Sequence, residues 1–177
     1  YLLDAGITVF SFYRQLFPLF AKELYGGAAA ATGLLTAANA IGGICGTLLV
    51  LLLRNYRPKG MLVLYATIIY ALLLFPLAIS TRLWIGMLLI GGLGAMDGIS
   101  VAMRQSIVQL TTPDQMRGRA VSLQVLAAQT ANNLGTLEVG FLTAAAGLSV
   151  TLTFGGAAAL LMTLAIWRVI SGIRHYR

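Results

Sequence analysis

The sequence predicts an all-α, polytopic membrane protein with six transmembrane helices. Three observations carry this expectation. First, 59% of the 177 residues are drawn from AVILMFWYC and only 10% are charged. A soluble domain is about 25% charged, so this chain has too few charges to cover a water-facing surface. Disorder is excluded as well, because it needs low hydrophobicity and high charge. Second, six apolar runs approach the ~20 residues that cross a bilayer. Third, the cations fall on alternate loops.

The runs are residues 2–21, 29–53, 61–79, 83–107, 120–145 and 148–170. Lys22, Glu23, Gly26 and Gly27 close the first. Arg54, Asn55, Arg57, Pro58, Lys59 and Gly60 separate the second from the third, and Ser80, Thr81 and Arg82 the third from the fourth. Only Gly147 and Ser149 mark the break between the fifth and sixth. The fourth and fifth are joined by Thr111-Thr112-Pro113-Asp114-Gln115-Met116-Arg117-Gly118-Arg119. Thr112 before Pro113, with Gln115 three residues on and Asp114 in the first turn, reads as a capping box that starts span five.

Orientation follows from the cations. Arg54, Arg57, Lys59, Arg104, Arg117, Arg119, Arg168, Arg174 and Arg177 fall on one set of loops and the tail; Lys22 and Arg82 fall on the other set. Nine against two places the basic side in the cytoplasm. An even number of spans then puts both chain ends there, as for an inner-membrane protein. The formal net charge of +7 is thus a topology signal, and no nucleic-acid partner is expected. The chain opens inside an apolar run without a charged leader. It reads as part of a longer polypeptide rather than as a signal peptide.

Polar side chains sort the spans. A charge at the bilayer centre costs about 2.5–3.5 kcal/mol on insertion scales and usually faces a cavity or a partner. Span one carries Asp4, Arg14 and Gln15; span two Asn39; span four Asp97, Arg104 and Gln105; span five Gln124, Gln129, Asn132, Asn133, Thr136 and Glu138. Spans three and six are plain and suit lipid. Two polar spans followed by a plain one, twice over, is the distribution an inverted three-plus-three repeat would give. Gln129, Asn133 and Thr136 share one helical face, either as a cavity wall or as interhelical hydrogen bonding. Arg14 lies roughly 12 Å below the outer end at 1.5 Å per residue. It is either an anion or substrate contact or the ion-pair partner of Asp97 or Glu138. For Asp97, proton-coupled gating and a static salt bridge are both open. The expected substrate or coupling-ion cavity is therefore Arg14, Gln15, Asn39, Asp97, Gln129, Asn133 and Glu138. Gly42-x-x-x-Gly46 and Gly94-x-x-x-Gly98 fit close helix packing.

Enzyme chemistry is not expected. The single histidine is His175 in the tail, Cys45 stands alone, and the carboxylates are scattered. No catalytic set, metal site or cofactor follows from such a distribution.

Two loops carry a family resemblance. Gly46 to Gly60, ending Arg54-Asn55-Tyr56-Arg57-Pro58-Lys59-Gly60, resembles the loop between helices eight and nine of major facilitator superfamily transporters. Gln105 to Leu123, with Pro113-Asp114-Gln115-Met116-Arg117-Gly118-Arg119 at its centre, resembles the segment between helices ten and eleven. The likeness is to the branch that includes the enterobactin exporter and macrolide-efflux proteins. Leu16-Phe17-Pro18-Leu19-Phe20-Ala21, Gly33 and Gly42-Gly43 fit that branch too. The resemblance covers nearly the whole chain as a C-terminal six-helix half. It implies a twelve-helix alternating-access carrier, often a proton-driven exporter, whose N-terminal half is the missing partner. It implies that Arg54, Arg57, Lys59, Pro113, Asp114, Arg117, Gly118 and Arg119 form cytoplasmic gating loops. Positive-inside anchoring explains the same cations equally well, and the first loop has no Asp before its Arg. The expected partners are a small-molecule substrate, the lipid bilayer and the missing half. The alternative is a non-transporting scaffold or receptor bundle, which needs no polar lining on span five.

Overall fold

The computed structural model describes residues 14–23, 29–52 and 59–169. Among them there is no strand. A 3-10 turn, Arg14–Leu16, leads into α1 (Phe17–Glu23). Five long helices follow: α2 (Ala29–Leu52), α3 (Lys59–Ile79), α4 (Leu83–Thr111), α5 (Arg117–Ala146) and α6 (Leu148–Val169). Four helical segments are long and apolar enough to cross a membrane: Ala29–Leu52, Met61–Ile79, Leu83–Leu110 and Leu148–Ala165. With 30 residues, α5 has the length, but its four amides and Glu138 make it less apolar. Most of the first expected span, like Asp4, Arg54 and Arg57, lies outside the described residues.

Glycine decides how the bundle closes. α2 and α4 meet through Gly42 and Gly46 on one helix and Gly94 and Gly98 on the other. A Cβ on Gly42 would overlap the Gly91 carbonyl, and one on Gly46 would overlap the Ala95 carbonyl. In return, a Cβ on Gly94 would overlap the Asn39 carbonyl, and one on Gly98 would crowd the Gly43 carbonyl. Both small-residue motifs are thus used, and against each other. Residue numbers rise together along the contact, so α2 and α4 run parallel. Asn39 is buried in this seam and donates to the Ile90 carbonyl at 3.5 Å.

α3 packs antiparallel to both α4 and α6. Gly92 of α4 faces Leu73, and Gly156 of α6 faces Ala71, Leu74 and Phe75. Ser149 Oγ donates to the Ala78 carbonyl at 3.0 Å and ties the start of α6 to the end of α3. One apolar core joins Phe17 and Phe20 of α1 to Leu35, Leu74, Leu77, Ile90, Leu93, Val139, Leu148 and Leu152. A second lies nearer the basic end, formed by Val63, Ala66, Ile99 and Met103. The exposed large side chains of α3 (Tyr65, Ile69, Leu72, Ile79) and α6 (Val150, Phe154, Leu161, Leu164) are apolar apart from the tyrosine hydroxyl.

The joints of α5 differ from one another. At its end, Gly147 takes φ 83°, a left-handed conformation that suits glycine. Its N–H bonds the Thr143 carbonyl at 3.0 Å, while Thr143 Oγ1 donates to Thr151 Oγ1 at 3.3 Å. The weak break read at Gly147 is a tight helical hairpin. At the start of α5 the expected capping box does not form. Thr112 is extended (φ −100°, ψ 129°) and closes α4, its N–H bonding the Val108 carbonyl. The residue before a proline is driven out of the α region, so Thr112 serves the preceding helix. Pro113 caps a short 3-10 turn, Asp114–Met116, and α5 starts at Arg117. Only Ala131, Gly135 and Val139 of α5 are buried.

The seam makes a graded prediction. Gly46→Val and Gly94→Val place carbons where carbonyl groups already lie. Overpacking of this kind costs about 1–3 kcal/mol or more. Gly33→Ala and Gly140→Ala meet nothing within 4 Å and should be neutral or stabilising by up to about 1 kcal/mol. Thermal unfolding in detergent, followed by circular dichroism, checks the contrast.

Candidate functional site

Asp97 sits at the centre of α4, fourteen residues from Leu83 and fourteen from Thr111. In a membrane that position is the midplane, where an unpaired carboxylate is costly. Its partner comes from the far end of the sequence. Arg14 Nη2 donates to Asp97 Oδ2 at 2.7 Å. The turn that holds Arg14 is anchored by Leu16, Phe17 and Phe20, all buried. Between the two readings of Arg14 as an ion pair, Asp97 is the carboxylate it meets, and Glu138 is not. The pair remains accessible, with 48% of the Arg14 and 36% of the Asp97 side chain exposed.

Those exposed faces line an open-sided cavity of about 520 Å³. Ala40, Gly43, Ile44, Thr47 and Leu48 of α2 form one wall, and Gly98 and Val101 of α4 join Asp97 on the other. The cavity borders the seam, because Gly43 and Gly98 line it and are also in contact with each other across the two helices. Thr47 Oγ1 donates back to the Gly43 carbonyl at 2.9 Å, and an acceptor lone pair on the hydroxyl remains for a ligand. The cavity thus offers one cation, one carboxylate, a hydroxyl and an aliphatic wall of Ile44, Leu48 and Val101. Such a site can hold an amphipathic molecule by a polar group while its apolar body rests on the wall.

The remaining expected residues lie elsewhere. Asn39 is in the seam and not on the cavity wall. Gln15 is exposed beside Arg14. Gln129 and Asn133 are exposed on α5, and Thr136 turns back to the Asn132 carbonyl at 2.9 Å. Glu138 is half-buried, and its Oε2 is shielded without a hydrogen-bond partner among the described residues. The single site read from the sequence is therefore two features, a cavity on the Arg14 turn, α2 and α4 and a polar face on α5. At the basic end, Arg117 pairs with Asp114 at 2.6 Å, Gly118 meets nothing within 4 Å, and Pro113 and Arg119 are exposed. The Arg117–Asp114 pair is internal to this loop. The cavity residues outside the expected set are Ala40, Gly43, Ile44, Thr47, Leu48, Gly98 and Val101. The signal for Gly43 was its place beside Gly42; the aliphatic residues carry none. No group of three potential metal ligands occurs among the described residues.

Residues 7–174 match the family described as transmembrane secretion effector, a branch of the major facilitator superfamily. The chain belongs to that family. It is a multi-pass membrane protein of the efflux-transporter class. No curated protein and no solved structure shows significant similarity to the chain.

The geometry of this family member predicts energetic coupling between two residues 83 positions apart. Asp97→Asn leaves Arg14 without its counter-charge, and Arg14→Gln leaves Asp97 without its own. A double-mutant cycle on unfolding should show the pair destabilised by less than the sum of the single variants. The coupling should be about 1 kcal/mol, the upper end for exposed pairs. The Arg14–Glu138 cycle should show none.

Proposed function

We propose that this chain is the C-terminal six-helix bundle of a twelve-helix secondary transporter. It exports a small organic molecule, such as a siderophore or drug, by alternating access and in exchange for protons. The observation that carries this reading is the Arg14–Asp97 pair, held at mid-helix on the wall of an open cavity. Sealing an ion pair away from water costs desolvation that its attraction repays only with excellent geometry and further hydrogen bonds; this one is left half-exposed beside space for a ligand.

The reading assigns a role to each group. Arg14 holds an acidic group of the substrate. Tyr13, Phe12 and Phe10 precede it in sequence, which suits an aromatic anion. Asp97 carries the coupling proton: it takes one up in the substrate-free carrier and gives it up when substrate binds. Substrate and proton therefore occupy the carrier in turn and cross in opposite directions. The second bundle lies against the face where the cavity opens, as in transporters whose sites sit at the repeat interface. The exposed amides Gln129 and Asn133 support a polar surround on α5, because hydrocarbon leaves an amide unsatisfied. This is what disfavours a non-transporting scaffold. Cation placement supports the orientation. Lys59, Arg117, Arg119 and Arg168 mark one end of the bundle and Lys22 and Arg82 the other, so the basic end is cytoplasmic, in an inner membrane. Arg54, Arg57, Lys59, Arg117 and Arg119 act first as anchors in that layer.

The test uses inverted membrane vesicles containing the polypeptide that carries this chain. A pH gradient is imposed, a panel of siderophores and lipophilic drugs is added, and substrate-driven collapse of the gradient is read. Asp97→Asn keeps the side chain's shape and removes its titration. It should abolish uphill transport, while Asp97→Glu retains it. Unimpaired uphill transport by Asp97→Asn contradicts the assignment.

A further inference from the structure

The walls of the cavity differ in what they offer a ligand. Among the described residues that line it, Thr47 is the one uncharged side chain with a hydrogen-bonding atom. Every other wall side chain is aliphatic or belongs to the Arg14–Asp97 pair. The pair supplies charge, so Thr47 is the group that can test a ligand for a neutral polar atom.

The seam sets the level of that hydroxyl. Gly43 meets Gly98, and Gly46 meets Ala95, across α2 and α4. By the first contact Thr47 lies five residues beyond Asp97 along the parallel helices; by the second it lies one residue short. The mean offset is about two residues, roughly 3 Å at 1.5 Å per residue. Thr47 and Asp97 therefore stand at nearly one level on facing walls.

The seam also fixes which way the hydroxyl points its proton. Thr47 Oγ1 donates to the Gly43 carbonyl at 2.9 Å. Gly98 closes on the same carbonyl oxygen from the other helix, where a Cβ would crowd it. The acceptor is held in the helix contact, and the proton is directed at it. A free threonine hydroxyl can donate or accept; this one presents lone pairs to the cavity.

We infer that Thr47 selects substrates that bring their own hydrogen-bond donor: an organic anion with a hydroxyl or N–H group a short distance from its acid group. This rests on the proposed role of Arg14 as the contact for that acid. The donor bonds Thr47 Oγ1, and the apolar body rests on Ile44, Leu48 and Val101. A ligand without the donor takes water away from the Thr47 oxygen and gives nothing in return, and the unpaired oxygen is what rejects it. A ligand with only an acceptor at that place sets lone pair against lone pair and is disfavoured further.

Binding to the purified polypeptide that carries this chain tests this apart from transport. The probes are fluorescent 2-naphthoates: the ring-hydroxylated isomers and, for each, its methoxy and fluoro counterparts. One counterpart is larger than the hydroxy compound, one is smaller, and neither donates. At least one hydroxy isomer should bind about three- to tenfold more tightly than both of its counterparts, the worth of one neutral hydrogen bond. Thr47→Val keeps the shape of the side chain without its oxygen and should bring the three compounds to equal affinity. Thr47→Ser should keep the preference. Binding of the fluoro compound by each variant shows that the cavity is intact. Arg14→Gln should weaken all three compounds alike, which reads the acid contact separately from the donor contact. Three results each overturn the inference: equal affinity for hydroxy and fluoro compounds in the parent protein, a preference that survives Thr47→Val, or failure of every naphthoate to bind. If the preference is absent while Arg14→Gln still weakens binding, the reading of Arg14 stands and the inference about Thr47 falls alone.

Discussion

The backbones of α2 and α4 approach until carbonyl groups occupy the space where side chains would begin. In a bilayer no hydrophobic force pulls helices together, since lipid is as apolar as leucine. Close packing must supply the association, and four glycines make it available here. The other features are arranged around that contact. It orients α4 so that Asp97, between Gly94 and Gly98, emerges at the margin of the seam and not within it. It sets Gly43 and Gly98 on the border of the cavity. It also buries Asn39, whose amide is tied to a carbonyl of the facing helix and so belongs to packing rather than to the ligand.

Around the seam the bundle is unequal in stiffness. α3 and α6 are joined by interlocking small residues and by the Ser149 hydroxyl. α1 is anchored by two phenylalanines in the main core. α5 is different: it buries three of its thirty residues and is held mainly at the Gly147 hairpin. The most polar helix is thus the least enclosed. The ion pair lies on the stiff side, where its geometry is maintained, while the amides of α5 face outward.

Much of this is legible in the sequence. Helix number and order beyond residue 28 followed from apolar length, because a membrane span has a fixed requirement. The seam glycines were readable as motifs, although not that the two motifs meet each other. Gly147 was readable as a break because it lacks a side chain at a point where polarity is otherwise continuous. Other features were hidden for physical reasons. Arg14 and Asp97 are 83 residues apart, and no local periodicity relates them, so the sequence left the partner of Arg14 open between Asp97 and Glu138. Ile44, Leu48 and Val101 carry no chemical signal, since an aliphatic cavity wall and a lipid-facing wall use the same residues. The capping box failed because two local rules competed at Thr112. The residue before proline must be extended, and α4 had already claimed that residue as its end.

The central claim is that water reaches a charged pair at mid-membrane through a cavity between α2 and α4. Thiol accessibility tests it most directly. In a Cys45→Ala background, Thr47→Cys and Val101→Cys report the cavity wall, while Leu72→Cys and Leu161→Cys report the lipid faces of α3 and α6. Membrane vesicles are treated with a charged, membrane-impermeant thiol reagent. The account predicts labelling at positions 47 and 101 and protection at 72 and 161. Equal protection at all four would mean that the cavity is closed to water, and the pair would then be structural.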